Sequence, residues 1–213
     1  MLRKQICIRI LSLQLQKRLS NGMSYSATSR KEFFFFSQRE GYGSYEWSNG
    51  DSYKGEWICG LRHGKGVLTF SNGDYYQGDF EFDVAFGFGI KCFSHSGDIY
   101  EGEFVDDARH GYGTYKWSLS EAVYKGDWEA NAMNGLGTFT AWNDEFDAYD
   151  DYDGEFADSK FHGIGLMKYA NGDTYQGSFE YGMRHGQGCY TWANDGNRYV
   201  DKILSRSSDC ILV

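Results

Sequence analysis

The sequence has no proline and no apolar run near the length of a membrane-spanning helix, although it has 213 residues. Without proline, its turns must be built by Gly, Asn, Asp and Ser. Without about twenty consecutive apolar residues, a transmembrane helix is excluded. The five cysteines are odd in number and scattered, which argues against a disulfide framework or a paired-cysteine zinc site. We expect free thiols in a reducing compartment.

Acidic residues are also absent from one part of the chain. Residues 1–31 carry seven Lys or Arg and no Asp or Glu, whereas residues 32–213 carry a formal charge of -16. An acidic body is a poor electrostatic match for nucleic acid or for an anionic membrane surface. The charge distribution therefore predicts no nucleic-acid partner.

Glycine and aromatic residues are abundant, with 28 Gly and 18% Phe, Trp and Tyr, and they are interleaved in a repeat. Its first half reads Tyr-x-Gly-x-Trp/Phe and its second half Gly-x-Gly. In each copy the first glycine of the pair comes eleven residues after the tyrosine, as Gly64 follows Tyr53. Such a fixed offset indicates a structural unit. The copies begin at Tyr53, Tyr76, Tyr100, Tyr124, Tyr152 and Tyr175.

Each half of the repeat has the alternation of a short β-strand. Tyr53, Gly55 and Trp57 share one face, while charged residues alternate with them. Asn-Gly pairs such as Asn49-Gly50 mark turns between copies. One hairpin is marginal alone, but stacked hairpins let rings cover the bare backbone at glycines. We therefore predict an all-β fold: an elongated single-layer antiparallel meander of stacked β-hairpins with no covering helical layer.

These motifs resemble MORN repeats (membrane occupation and recognition nexus), in which Tyr-x-Gly-x-Trp/Phe precedes His-Gly-x-Gly and an Asn/Asp-Gly turn. The resemblance covers Tyr53 to about Asn197. It divides the chain into four segments. Residues 1–31 are a basic extension that is disordered or a short helix, and residues 32–52 are a degenerate capping repeat. Residues 53–198 are six hairpin repeats, and residues 199–213 are an aborted repeat with a tail.

The resemblance implies a non-enzymatic scaffold that binds a protein partner, through an extended or helical segment, along a curved aromatic-lined face. The implied settings are membrane–cytoskeleton junctions or axonemal assemblies, and the implied location is cytoplasmic. Buried aromatic supports are the alternative interpretation of the same residues, and oligomeric state stays open. The candidate partner-face residues are Trp57, Phe80, Phe104, Trp128, Phe156 and Phe179.

Two further functions remain open from the sequence. One is phospholipid binding, helped by the basic N-terminus or by prenylation of Cys210 in the terminal Cys-Ile-Leu-Val. The other is capture of a small ligand in aromatic cages. Residues 1–22 also fit a mitochondrial presequence, a membrane or partner helix, or an extension preceding a start at Met23.

Nothing in the sequence predicts a catalytic residue, a metal or a cofactor. Four histidines share one position before the glycine pair, but neighbouring copies should lie about 10 Å apart, too far for one zinc ion. The Gly-x-Gly pairs lack the context of a phosphate-binding loop. The acidic connector at 144–153 fits no EF-hand and is predicted to be solvated, or to meet a basic partner. The histidines are His63, His110, His162 and His185.

Overall fold

The computed structural model describes residues 39–194 and 198–203, which form one antiparallel sheet of 14 strands in sequential order. No helix occurs in these ranges, and so none is long and apolar enough to cross a membrane. The predicted all-β meander is confirmed. The strands are β1 Gly41–Glu46, β2 Ser52–Ile58, β3 Leu61–Thr69, β4 Tyr75–Glu81, β5 Val84–Cys92, β6 Ile99–Val105, β7 Ala108–Lys116, β8 Val123–Glu129, β9 Ala132–Asn143, β10 Ala148–Ala157, β11 Lys160–Lys168, β12 Thr174–Glu180, β13 Met183–Thr191 and β14 Arg198–Ile203.

Paired glycines form a continuous row across the sheet, from Gly43 in β1 to Gly188 in β13. Gly55 pairs with Gly43 on one side and with Gly66 on the other, and the same pairing repeats in every later hairpin. The row ends where Asp201 of β14 lies opposite Gly188. We call this feature the glycine row.

A tyrosine ring lies directly on each glycine pair of its own hairpin. A Cβ atom added to Gly66 would lie 2.3 Å from the Tyr53 hydroxyl oxygen, and one added to Gly55 would lie 2.4 Å from it. That hydroxyl donates a hydrogen bond to the Glu56 carbonyl at 3.0 Å. We predicted rings over the glycines of a neighbouring hairpin. The tyrosines cover glycines of their own repeat instead, whereas Trp57 and Trp128 reach the glycine row of the preceding strand, where each indole N–H donates to a glycine carbonyl. Equivalent hydroxyl bonds, to the carbonyl three residues on, are made by Tyr76, Tyr100, Tyr124, Tyr152 and Tyr175.

The two glycines of each Gly-x-Gly pair have different roles. Gly66 belongs to the glycine row, whereas Gly64 lies in a bulge, where the register shifts after Gly55. Its φ is +58°, a left-handed value that glycine adopts without strain. The Glu56 carboxylate folds over this bulge and accepts a hydrogen bond from the Lys65 N–H at 3.0 Å. The first glycine is therefore needed for its backbone conformation, and the second for its lack of a side chain.

Two recurring kinds of turn connect most of the strands. The Asn-Gly turns are where the sequence places them, and in the first of them the Asn49 amide donates to Asp51 at 2.9 Å. The turns inside the six hairpins have two central residues with positive φ, as at Phe82 (+51°) and Asp83 (+72°), which is typical of type I′ hairpins. Most of these turns lack glycine, so the sequence analysis missed them.

Cysteine chemistry differs from the sequence-based prediction at one position. Cys92 and Cys189 are free thiols, but Cys59 is disulfide-bonded. The prediction of free thiols throughout is therefore wrong at Cys59.

The predicted domain boundaries stay a prediction, although parts of them can be located in the sheet. Strand β1 lies in the predicted capping repeat, and β14 lies at the start of the predicted aborted repeat. The segments 1–31 and 204–213, with Cys210, lie outside the described residues.

The glycine row predicts a position-dependent cost of adding one methyl group. In Gly113→Ala the new Cβ would meet the Tyr100 hydroxyl oxygen at 2.4 Å. We expect the free energy of unfolding to fall by about 3 kcal/mol, as in overpacked cores. In Gly43→Ala the nearest atom is Trp57 Cδ1 at 3.8 Å. That matched variant should change stability by no more than about 0.5 kcal/mol.

Denaturant unfolding of both variants, followed by circular dichroism, measures the difference. Equal stability of Gly113→Ala and Gly43→Ala would contradict the steric role of the glycine row.

Candidate functional site

One face of the sheet carries an unbroken chain of aromatic rings, and we call it the aromatic face. Tyr53 packs edge-on against Trp57 of its own hairpin at a centroid distance of 4.9 Å, and against Phe80 of the next at 5.1 Å. This alternation continues to Tyr175 and Phe179, with centroids 4.8–5.3 Å apart and rings near perpendicular. Edge-to-face geometry suits the charge distribution of aromatic rings. The rings therefore couple each repeat to the next.

The predicted partner-face residues are members of this ring chain and are buried. Their exposed fractions run from 2% for Phe104 to 6% for Trp57. They therefore lie beneath the surface of the aromatic face. Their part in partner binding stays a prediction, and it can be only that of a supporting layer. The others, also buried, are Phe80, Trp128, Phe156 and Phe179.

The accessible surface of the aromatic face is formed by half-buried side chains that cover the ring chain. In the N-terminal half they enclose a groove of about 680 Å³. Its walls combine apolar side chains such as Leu68 and Phe70 with charged ones of both signs, such as Lys91 and Asp51. Half-buried apolar residues continue along the face beyond the groove. These include Phe93, Trp117, Phe139, Met167 and Tyr190.

Arginines extend over the rings at four points of the aromatic face, namely Arg39, Arg62, Arg109 and Arg184. Arg109 is placed over the Trp128 ring, with its guanidinium carbon 4.5 Å from the centroid, and donates to the Asn131 carbonyl at 2.9 Å. Arg62 lies over Phe80 and pairs with Asp83 at 3.2 Å. Guanidinium groups over aromatic rings gain a cation–π interaction. The aromatic face thus holds guanidinium groups against its rings, and the charge of Arg62 is balanced by that of Asp83.

One residue whose role was not predicted is the acidic residue between Gly and Trp/Phe in Tyr-x-Gly-x-Trp/Phe, for example Glu56. From the sequence this residue was interpreted as part of a polar face. In the structure this carboxylate accepts a backbone N–H across the bulge, as Glu103 does from Tyr112 at 3.1 Å and Glu155 from Ile164 at 2.9 Å. The signal was the recurrence of Glu or Asp at this position in five of the six copies, with Ser178 in the sixth.

The four histidines lie in different hairpins, in β3, β7, β11 and β13. Among residues 39–194 and 198–203, no group of three or more His, Cys, Asp or Glu is placed to hold a metal ion. His185 lies 3.3 Å from Glu180, and His63 contacts the Phe82 ring. The structure brings none of the four together.

The acidic connector is the tip of a longer hairpin. Strands β9 and β10 extend to Asn143 and Ala148, so a four-residue turn is all that separates them. The Asn143 amide donates to Asp150 at 3.0 Å. Trp142 and Tyr149 pack edge-on at 5.0 Å near this tip. The connector is therefore strand and turn, and its turn residues 144–147 are exposed, in agreement with the predicted solvated insertion.

The family of MORN repeats matches six segments of the chain, at 34–52, 53–75, 100–118, 124–141, 152–174 and 175–196. The chain belongs to the MORN-repeat family. Residues 76–99 fall between the matched segments, yet β4 and β5 there keep the paired glycines and the covering Tyr76. MORN repeats generally form non-enzymatic scaffolds, which agrees with the prediction as far as the family is concerned.

No curated protein matches the chain. Among solved structures it is similar to the TCP domain of SAS-4 (dCPAP) from Drosophila melanogaster, which was solved in complex with a proline-rich motif of Ana2 (dSTIL). The identity is 11%, the TM-score is 0.40, and the match covers 84% of this chain and 83% of that one.

Burial perturbs the acidity of the ring-chain tyrosines. It raises the pKa of Tyr53 to about 12 and that of Tyr152 to about 12, and it also raises the pKa of Tyr100. A tyrosinate in these positions would lose hydration while facing the carbonyl that its hydroxyl donates to. The folded sheet therefore holds these phenols protonated.

These shifts predict a loss of stability in alkali. Below pH 10 the phenols are protonated in both states, so their contribution to the free energy of unfolding is fully present. As the pH rises above about 10 the unfolded chain releases protons that the folded chain retains, so this free energy falls. Denaturant unfolding between about pH 8 and about pH 11 measures the slope.

The matched variants are Tyr100→Phe, which should reduce the slope, and Tyr42→Phe, which should leave it unchanged because Tyr42 is 70% exposed. A free energy of unfolding independent of pH up to about pH 11 would contradict the assignment.

Proposed function

We propose that this protein is a non-enzymatic scaffold that holds an extended or helical segment of a partner protein along the aromatic face. The observation that carries the proposal is that no second layer covers this face within the described ranges, although it is lined by apolar and aromatic side chains. Exposed apolar patches of this kind are typical of protein interaction sites.

The groove gives the proposal its detail. Phe70 and Leu68 offer apolar contact, and Lys91 and the guanidinium of Arg39 add positive charge beside them. Arg39 lies 3.5 Å above the Tyr45 ring, so its charge is presented from a fixed position. Asp51, Asp83 and Asp107 line the same groove, so its formal charges balance. A segment with apolar side chains and charged groups of both signs matches this lining. The buried ring chain beneath keeps the contact surface rigid, which lowers the entropy cost of binding.

The setting is proposed from family membership alone. We propose a cytoplasmic protein of a membrane–cytoskeleton or axonemal type of assembly. The cysteines do not support a cytoplasmic location, because Cys59 is disulfide-bonded and disulfides are typical of oxidising compartments.

The test uses the full chain, purified with its partners from the native cell after crosslinking. Phe70→Ser combined with Lys91→Glu changes the groove, and Leu119→Ser, at a turn residue that is 89% exposed, is the matched control. We expect the groove variant to reduce recovery of a crosslinked partner about tenfold, as losing one apolar anchor and one charge would. The control should recover the partner as the unchanged chain does.

Thermal unfolding must first show that both variants remain folded. Equal partner recovery with both variants would contradict the proposal. Sedimentation of the unchanged chain with acidic vesicles at physiological salt, reversed by Lys91→Glu, would favour phospholipid binding instead.

A further inference from the structure

The face opposite the aromatic face carries a row of alternating carboxylates and exposed apolar side chains. The middle residues of four successive Gly-x-Gly pairs form the apolar members. They are Phe88, Tyr112, Leu136 and Ile164, with exposed fractions of 52%, 51%, 65% and 58%. Register pairing places Phe88 opposite Glu103, Tyr112 opposite Asp127, and Leu136 opposite Glu155. We call these seven residues the mixed row.

The carboxylates of the mixed row are fixed in position. Asp127 accepts a hydrogen bond from the Leu136 N–H at 3.0 Å, and Glu155 accepts one from the Ile164 N–H at 2.9 Å. Each carboxylate uses one oxygen in this bond and lies on an exposed residue. In the part of the chain that the structure describes, none of the three forms a salt bridge with Lys, Arg or His.

The first hairpin shows what complements such a carboxylate. There Lys65 takes the place of the apolar member, and its Nζ atom lies 2.7 Å from the next carboxylate, that of Asp79. Register pairing places Lys65 opposite Asp79 just as it places Phe88 opposite Glu103. In the next three hairpins a ring or an aliphatic chain replaces the cation, so these carboxylates are open to a positive group from another molecule.

The spacing of the mixed row matches an α-helix. Successive apolar members are two strands apart, or about 9.6 Å, and the carboxylates lie about halfway between them. Seven residues of an α-helix rise about 10.5 Å, and three to four residues rise about half of that. An amphipathic helix with an apolar residue every seventh position and Lys or Arg three or four positions later would meet both kinds of member.

We propose that the mixed row docks a basic amphipathic helix of a second partner protein, with heptad-spaced apolar residues. The proposal is independent of the aromatic face, since the two surfaces lie on opposite sides of the sheet. A second copy of this chain is disfavoured because it would bring carboxylates against carboxylates, and the formal charge of residues 32–213 is already -16. An anionic membrane surface is disfavoured by the same sign of charge.

The probe is a synthetic peptide of about 22 residues with Leu at every seventh position, Lys three and four positions later, and Ala and Gln elsewhere. Its fluorescence anisotropy is titrated with the full chain. We expect saturable binding that weakens as salt is added, because part of the attraction is between exposed charges. A peptide of the same composition in scrambled order is the peptide control.

Single substitutions of the full chain locate the site. Leu136→Ser and Tyr112→Ser should each weaken binding by about tenfold, since each removes a buried apolar contact. Asp127→Asn keeps the acceptor oxygen for the bulge and should weaken binding less at high salt than at low salt. Leu119→Ser, outside the row, is the matched control and should bind as the unchanged chain does.

Several results would overturn the proposal. One is the absence of saturable binding of the probe, and another is equally tight binding of the scrambled peptide. A third is probe binding that is weakened by Phe70→Ser on the aromatic face but not by Leu136→Ser. Displacement of the probe by a peptide of residues 1–31 would assign the mixed row to this chain's own basic segment. A dimer in sedimentation equilibrium that Leu136→Glu dissociates would assign it to a second copy.

Discussion

The stacking of a tyrosine ring on a pair of opposed glycines is the contact on which the rest of this sheet depends. At Gly102 and Gly113 an added Cβ would lie within 2.6 Å of the Tyr100 hydroxyl oxygen, so neither position has room for a side chain. The hydroxyl reaches past the pair to the Glu103 carbonyl at 2.9 Å. The Tyr100 ring lies on the glycines of its own hairpin and also packs edge-on against Trp128 of the next hairpin, with the ring centroids 5.3 Å apart. One contact thus fixes both the hairpin and its stacking.

This arrangement explains how a sheet with no covering layer keeps its aromatic residues dry. The exposed fraction is 0% at Tyr100 and Tyr124, although they lie on a face of a single sheet. Burial comes from neighbouring rings and from the half-buried side chains above them, so each repeat depends on the adjacent ones. Stability should then follow the nearest-neighbour behaviour of repeat proteins. A substitution such as Gly113→Ala should therefore destabilise its own hairpin and the two hairpins beside it.

Much of this fold was predictable, because the alternation of Tyr53, Gly55 and Trp57 has the period of a strand and the copies keep a constant offset. The bulge at Gly64 was not, since a fixed count of eleven residues does not show that two of them leave the register. The turn at Phe82 and Asp83 carries no glycine to signal its positive φ. At the candidate site, the sequence fitted Trp57 equally well as a residue that contacts a partner and as a buried support. Its contacts with the Tyr53 and Tyr45 rings in the folded sheet show that it is a buried support.

The division between fixed and variable positions has a functional consequence. The glycine row, the ring chain and the bulge carboxylates must be kept for the sheet to form, so they cannot distinguish one such protein from another. The side chain of the middle residue of Gly-x-Gly is free of this constraint, because it lies on the face opposite the ring chain. In this chain it is Lys65 in the first hairpin and then Phe88, Tyr112, Leu136 and Ile164. Replacing a self-paired cation by four exposed apolar groups adds nothing to the fold, since Lys65 already fits this position. We infer that these residues were selected for contact with another molecule.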